Sequence, residues 1–209
     1  MVATARATRP PGAPPAPPAP AGPHRLPWSG DPAADRLLAR DPLALLIGFV
    51  LDQQVPAQTA FRGPLRLRQR AGTLDPGRLA RLDPAELGAL FAAPPAIHRF
   101  PQMMAERVRA LCQVVVERHQ GDAARIWREV PTARELRARL AALPGLGPMK
   151  VATILALLAK QYGVRPDGWE QALPAHPTLA DVTSEEELAV YQAEKRAHKA
   201  ALRTAGARP

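Results

Sequence analysis

The sequence predicts an all-α fold, and three observations carry that prediction. Apolar residues recur at helical spacing in the long segments beyond residue 28. Asp41-Pro42 and Asp83-Pro84 each place a capping residue ahead of a proline suited to the first helical position. No stretch shows period-two alternation bounded by turns. The 209 residues suffice for one core or two small lobes, with roughly eight to ten short helices.

Taken in order, the first element is a tail. Nine prolines fall between Pro10 and Pro27, so residues 1–27 read as a disordered, partly polyproline stretch with no apolar surface to bury. Residues 28–209 form the expected helical domain. After Asp41-Pro42 comes the apolar run LALLIGFVL. After Asp83-Pro84 comes Glu86 at the third helical position. In PQMMAERVRALCQVVVERHQ, Met104, Val108, Leu111 and Val115 share one face, while Arg107, Arg109 and Glu117 lie elsewhere on the wheel. Thr132 and Glu135 make a capping box, and Leu136, Leu140 and Leu143 continue that helix's apolar face. Ser184 and Glu187 repeat the box before a final helix.

Composition narrows the function classes. Lys and Arg number 28 against 19 for Asp and Glu, a net charge of +9, which makes nucleic acid the first candidate partner. The single cysteine, Cys112, lies in an apolar stripe and cannot support a disulfide framework, a zinc site or a cysteine-held iron–sulfur cluster. His98 and His176 lack a second ligand at metal spacing and read as surface or capping residues. No metal and no cofactor is expected. No run of about eighteen apolar residues exists, so we expect a cytoplasmic, monomeric protein without a membrane partner.

The segment LPGLGPMKVA, residues 143–152, is the most informative. Pro144 cannot continue the helix that Leu143 ends. Gly145 and Gly147 can both take positive φ. Leu146 should point inward and pin the turn, and Pro148 suits the start of the next helix. That helix carries Val151, Ile154, Leu155, Leu158 and Tyr162 on one face. Two helices joined by such a hairpin expose backbone N–H groups at a helix N-terminus, and Lys150 adds a charge beside them. A DNA phosphate fits that site, with Gly145, Leu146, Gly147 and Lys150 as the backbone-binding residues.

This segment resembles the helix-hairpin-helix of the HhH-GPD superfamily of base-excision DNA glycosylases. DPLALLIGFVLDQQVPAQTAF, residues 41–61, is similar to that superfamily's early helix pair. The closest likeness is to a subgroup of small, cluster-free members. The resemblance implies a two-lobed helical fold and an enzyme that flips a damaged nucleotide from double-stranded DNA and cleaves its N-glycosidic bond. It implies glutamines near the flipped base, here Gln54 with Gln53 beside it. It also implies a catalytic aspartate beyond the hairpin. Eighteen residues past Met149 stands Asp167, in GVRPDGW, an ordered turn at the mouth of a cleft; Asp181, in TLADVTSEEEL, is the alternative. Bifunctional members carry a nucleophilic lysine where this chain has Met149. Lys150 is one residue on, rotated about 100° along a helix toward the phosphates, which implies a monofunctional glycosylase. Arg62, Arg66, Arg68 and Arg70 are general candidates for phosphate contact. The other readings are a non-catalytic DNA-binding protein of the same fold, which recognises bent or damaged duplex, and a basic helical interaction protein whose hairpin only packs.

Overall fold

The computed structural model describes residues 22–204, and the regular elements among them are all helices. Among the described residues nine α-helices run in order: α1 (Pro32–Arg40), α2 (Pro42–Leu51), α3 (Ala57–Ala71), α4 (Pro76–Arg81), α5 (Pro84–Ala92), α6 (Pro101–His119), α7 (Ala133–Ala141), α8 (Pro148–Gln161) and α9 (Glu185–Thr204). Two 3₁₀ turns, Ala123–Ile126 and Leu179–Asp181, precede α7 and α9. Among the described residues the only β feature is an isolated bridge between Thr132 and Asp167.

The aspartate-proline device recurs more often than its two clearest instances suggest. Asp31, Asp41, Asp75 and Asp83 each accept a backbone N–H bond at the start of a helix whose first residue is proline. Both capping boxes are half formed. Thr132 and Ser184 accept the amides of Glu135 and Glu187, at 3.2 and 3.1 Å. The Glu135 carboxylate instead reaches forward to Arg139, and that of Glu187 takes the amide and hydroxyl of Thr183.

α2 is the axis of the core. Nine of its ten residues are buried, so it is apolar all round and has neighbours on every side. It packs against α1, α3 and α6. Trp28, Phe49 and Phe61 form an edge-to-face triangle with ring centroids 5.0 to 6.0 Å apart. Gly48 lets the Phe61 ring lie against the α2 backbone: a Cβ there would fall 2.7 Å from the ring. One continuous apolar cluster runs from Leu26 to Leu188.

Two expectations change here. Residues 1–21 of the expected tail lie outside the described residues, but its end is folded. Leu26 is fully buried and its amide bonds the Asp35 carbonyl at 3.1 Å, because one leucine in a proline-rich stretch is enough to anchor the chain on the core. His98 is not a surface residue. It is 1% exposed, for reasons that belong to the site described next.

Gly48→Ala should destabilise the fold. The overpacking against a locked aromatic triangle costs about 1–3 kcal/mol, partly offset by alanine's better helix propensity, about 1 kcal/mol. A thermal melt should show Tm lowered by several degrees; an unchanged or raised Tm would mean that the triangle yields freely.

Candidate active-site cleft

α2 ends where its apolar run ends. Asp52 is its C-cap, and the Asp52 amide bonds the Gly48 carbonyl at 3.0 Å. The chain then turns through residues 53–56 to start α3. His98 fixes this turn from beneath. Its Nδ1 accepts the Phe100 amide at 3.1 Å, which leaves Nε2 to donate to the Gln53 carbonyl at 2.9 Å. Burial is the main reason its pKa is lowered, with Arg99 and Arg107 pushing the same way against the pull of the Gln53 and Leu51 carbonyls. The bonding pattern, with Nδ1 accepting, requires the neutral ring, and the lowered pKa acts in the same direction.

The Gln53 amide is wholly engaged. Nε2 donates to the Val50 carbonyl at 2.6 Å, and Oε1 accepts from Arg107 of α6. Gln53 is thus a strut and not a free base-contacting amide. Gln54 differs. It is exposed, holds a left-handed backbone with φ of 56°, and makes no internal side-chain bond.

The hairpin docks on this same corner. Gly145 has φ of 82°, and a Cβ there would meet the Val50 side chain at 3.3 Å. Leu146 is buried, as its place between the glycines implied. Gly147 is not left-handed: its φ of −79° is open to any residue, and nothing lies within 4 Å of where its Cβ would be. Its value is the open space above its backbone. Gly147 caps α8 with no side-chain bond, so that helix start, unlike those of α1, α2, α4, α5 and α7, has no side-chain acceptor.

Met149 and Lys150 part company at this point. Met149 is 71% exposed. Lys150 is half-buried, with Nζ 3.5 Å from the Gly145 carbonyl. Burial lowers its pKa to about 8, and of the nearby charges Asp52 opposes the shift while Arg107 and Lys195 add to it. The expected rotation away from Met149 is present, but it turns Lys150 into the protein beside Asp52, not out toward solvent.

A cleft opens between this corner and α9. One cavity of about 370 Å³ has Asp52 and residues 55–58 on one wall and Leu179, Tyr191, Gln192, Lys195 and Arg196 on the other. A second, of about 540 Å³, continues it past Tyr191 and Lys195 to Met149 and His176. Gln58 and Gln192 close one side with a reciprocal amide pair at 3.2 and 3.1 Å. Within the cleft, burial raises the pKa of Asp52, against the lowering influence of Lys195 and Lys150.

Neither aspartate expected beyond the hairpin lies in this cleft. The Asp167 amide and carbonyl bond Pro131 and Ala133, at 3.0 and 2.8 Å. Asp167 therefore stands exposed at the N-terminal end of α7, the end remote from the hairpin. Asp181 accepts the Thr178 amide at 2.9 Å and pairs with Lys160, near the far end of α8. Burial raises its pKa, but the bonds from Lys160 and Thr178 outweigh that and lower it. Asp167 lies outside the cleft because residues 167–172 run along α7. Of the arginines after Gln54, Arg66 and Arg70 are spent on the carbonyls of residues 90, 95 and 96, whereas Arg68 is exposed. Sequence reasoning missed Asp52, Arg107 and Lys195. The available signal was an acid at a helix C-terminus, where the macrodipole disfavours it.

Among the described residues no group of three or more His, Cys, Asp or Glu could hold a metal, and no helix is long and apolar enough to cross a membrane. Cys112 is buried, and burial pushes its thiol up to about 12. Comparison with family models matches residues 47–198, well over half of the chain, to the HhH-GPD superfamily base excision DNA repair protein. No match was found among curated proteins or solved structures.

Lys150 should titrate near pH 8, as followed by NMR of its ε-carbon. Because Asp52 supports the ammonium, Asp52→Asn should move that titration lower still. The unfolded chain binds more protons between about 8 and the ordinary 10.5, so this group makes the fold more stable as pH rises through that window. A Lys150 titration unmoved by Asp52→Asn would separate the two groups.

Proposed function

The chain belongs to the HhH-GPD superfamily of base excision DNA repair proteins, and from that premise we propose that it is a monofunctional DNA N-glycosylase acting on a damaged base in duplex DNA. The observation that carries this reading is the juxtaposition of an uncapped, sterically open helix start at Gly147 with a cleft lined by the Asp52 carboxylate and Lys195, with Lys150 in electrostatic reach of that carboxylate. The first feature suits a phosphate of the DNA backbone. The second suits a nucleotide rotated out of the stack, whose sugar gains positive character as its base departs.

The backbone contacts are those of the hairpin. Amides at the start of α8, with Gly145 and Gly147 exposed above them, approach one phosphate. Lys150 and Lys195 attract the phosphates that flank the extruded nucleotide. Gln54, exposed and without an internal side-chain bond, is the group that would fill or probe the gap in the duplex. Binding of this kind tolerates sequence and depends on salt. The protein acts as a monomer in the nucleoid-containing cytoplasm.

Strand scission is not part of this activity. A thioether cannot form an imine with an opened sugar, and Met149 occupies the bifunctional enzymes' lysine position. One observation favours a second reading, in which the enzyme is also a lyase. Lys150 is half-buried in electrostatic reach of Asp52 with its pKa brought down to about 8, so a fraction of it is a free amine near neutral pH. Borohydride decides between them.

A panel of single-lesion duplexes should yield an intact strand bearing an abasic site, cut only after alkali. Borohydride should trap no covalent adduct; trapping that Lys150→Ala abolishes would establish the lyase. Gly147→Val, which fits without a clash, should weaken binding to all duplexes alike and reduce the salt slope by about one unit. Unchanged affinity in that variant would take the hairpin out of the interface. Duplex binding with no base released from any lesion would favour the non-catalytic reading.

A further inference from the structure

We infer that Asp52, supplied by the end of α2 and not by the segment beyond the hairpin, is the catalytic carboxylate that faces the sugar of the extruded nucleotide; this rests on the glycosylase reading above.

Seven of the nine aspartates are consumed by the fold. Asp31, Asp41, Asp75, Asp83 and Asp122 accept backbone amides at helix or turn starts. Asp35 accepts the amide and hydroxyl of Ser29, and Asp181 is bound by Thr178 and Lys160. Asp167 and Asp52 are left without a side-chain bond, and Asp167 stands on the surface away from the hairpin. Asp52 alone is half-buried, lines a cavity and has lysines in electrostatic reach on two sides.

Its position is costly for stability. A carboxylate at a helix C-cap meets the negative end of the macrodipole. Half-burying it without a hydrogen bond adds a desolvation cost. A fold gains nothing from such a group, whereas a cleft that must stabilise a cationic sugar gains a counter-charge already desolvated and aimed. Gln53, clamped by Arg107 and by His98 through its carbonyl, holds the neighbouring backbone in place, so the carboxylate is fixed on a rigid corner.

The step balances with water alone. The bond from C1′ to the base nitrogen breaks, and its electron pair leaves with the base. Water oxygen bonds to C1′. One water proton passes to the Asp52 carboxylate and on to solvent, while the departing base takes a proton from solvent. The elevated basicity that burial confers on Asp52 suits it to hold that proton in passing.

The test uses the full chain and two kinds of duplex. The first carries single uracil, alkylated-purine or oxidised-base lesions. The second carries one abasic analogue at the same position, either a cationic pyrrolidine or a neutral tetrahydrofuran. The wild type should release a base in single turnover and should prefer the pyrrolidine duplex by at least about tenfold, the worth of one charge-assisted contact. Asp52→Asn should lower base release by about a hundredfold or more, lose the pyrrolidine preference, keep its affinity for tetrahydrofuran DNA, and melt no lower than the wild type, since a costly buried charge is removed. Asp167→Asn should match the wild type throughout. Base release by Asp52→Asn at the wild-type rate would overturn the assignment while the glycosylase reading stands. No base released by the wild type, together with no preference for the cationic site, would overturn both. A preference present in the wild type and lost in Asp52→Asn supports the placement of Asp52 even where the lesion panel yields nothing.

Discussion

The burial of α2 is the constraint on which the rest of the molecule depends. A ten-residue helix with nine buried residues has no solvent-facing side, so α1, α3 and α6 must enclose it. Gly48 and Gly63 allow the enclosure to be tight, since a Cβ on either would strike Phe61 or Leu51. That tightness has a consequence at the helix end. Val50 becomes the seat for Gly145 of the hairpin, and Asp52 is the first residue with room for a polar side chain. The rigid core and the proposed site corner are consecutive residues of one element. This fits the general expectation that a site held to fractions of an ångström is built on regular structure, not on a free loop.

Legibility in the sequence follows from how local each feature is. Helix starts were readable because Asp-Pro capping acts over two or three residues, and the four aspartates involved do cap as their spacing implies. The apolar faces of α6, α7 and α8 were readable because periodicity is a property of a single segment; Met104, Val108, Leu136, Leu140, Ile154 and Leu158 are all buried. The hairpin was readable as a motif, with Leu146 inside it. Other features depend on which distant segments meet. His98 is buried because it reaches back to Gln53 across forty-five positions. Leu26 is buried because the core has a place for it. Asp167 lies outside the cleft because residues 167–172 return along α7, which no count along the chain reveals.

The same distinction explains the exchange of roles among the candidate site residues. Gln53 and Gln54 are adjacent and chemically identical, so sequence alone cannot rank them. Packing does, by binding both ends of the Gln53 amide and leaving Gln54 in a left-handed, exposed conformation. Met149 and Lys150 separate in the same way. Rotation along a helix shows that they point apart, but not which one points inward. The docking of α8 on the corner of α2 turns the amine inward and leaves the thioether in solvent.

The electrostatics of the cleft then acquire a direction under the proposed activity. Free of DNA, the Asp52 carboxylate is destabilised by burial and relieved by Lys195 and Lys150. Those two amines are also the positive groups to which the phosphates beside an extruded nucleotide are drawn. As each phosphate pairs with a lysine, it screens the charge that had been lowering the Asp52 pKa and adds negative potential of its own. The affinity of Asp52 for a proton therefore rises when the duplex arrives. Over the same interval that of Lys150 also rises, because the phosphate favours its ammonium form. DNA binding thus strengthens the base that would take a proton from water and suppresses the free amine that would attack the sugar. Both changes follow from the same pair of contacts, and both favour hydrolysis over imine formation.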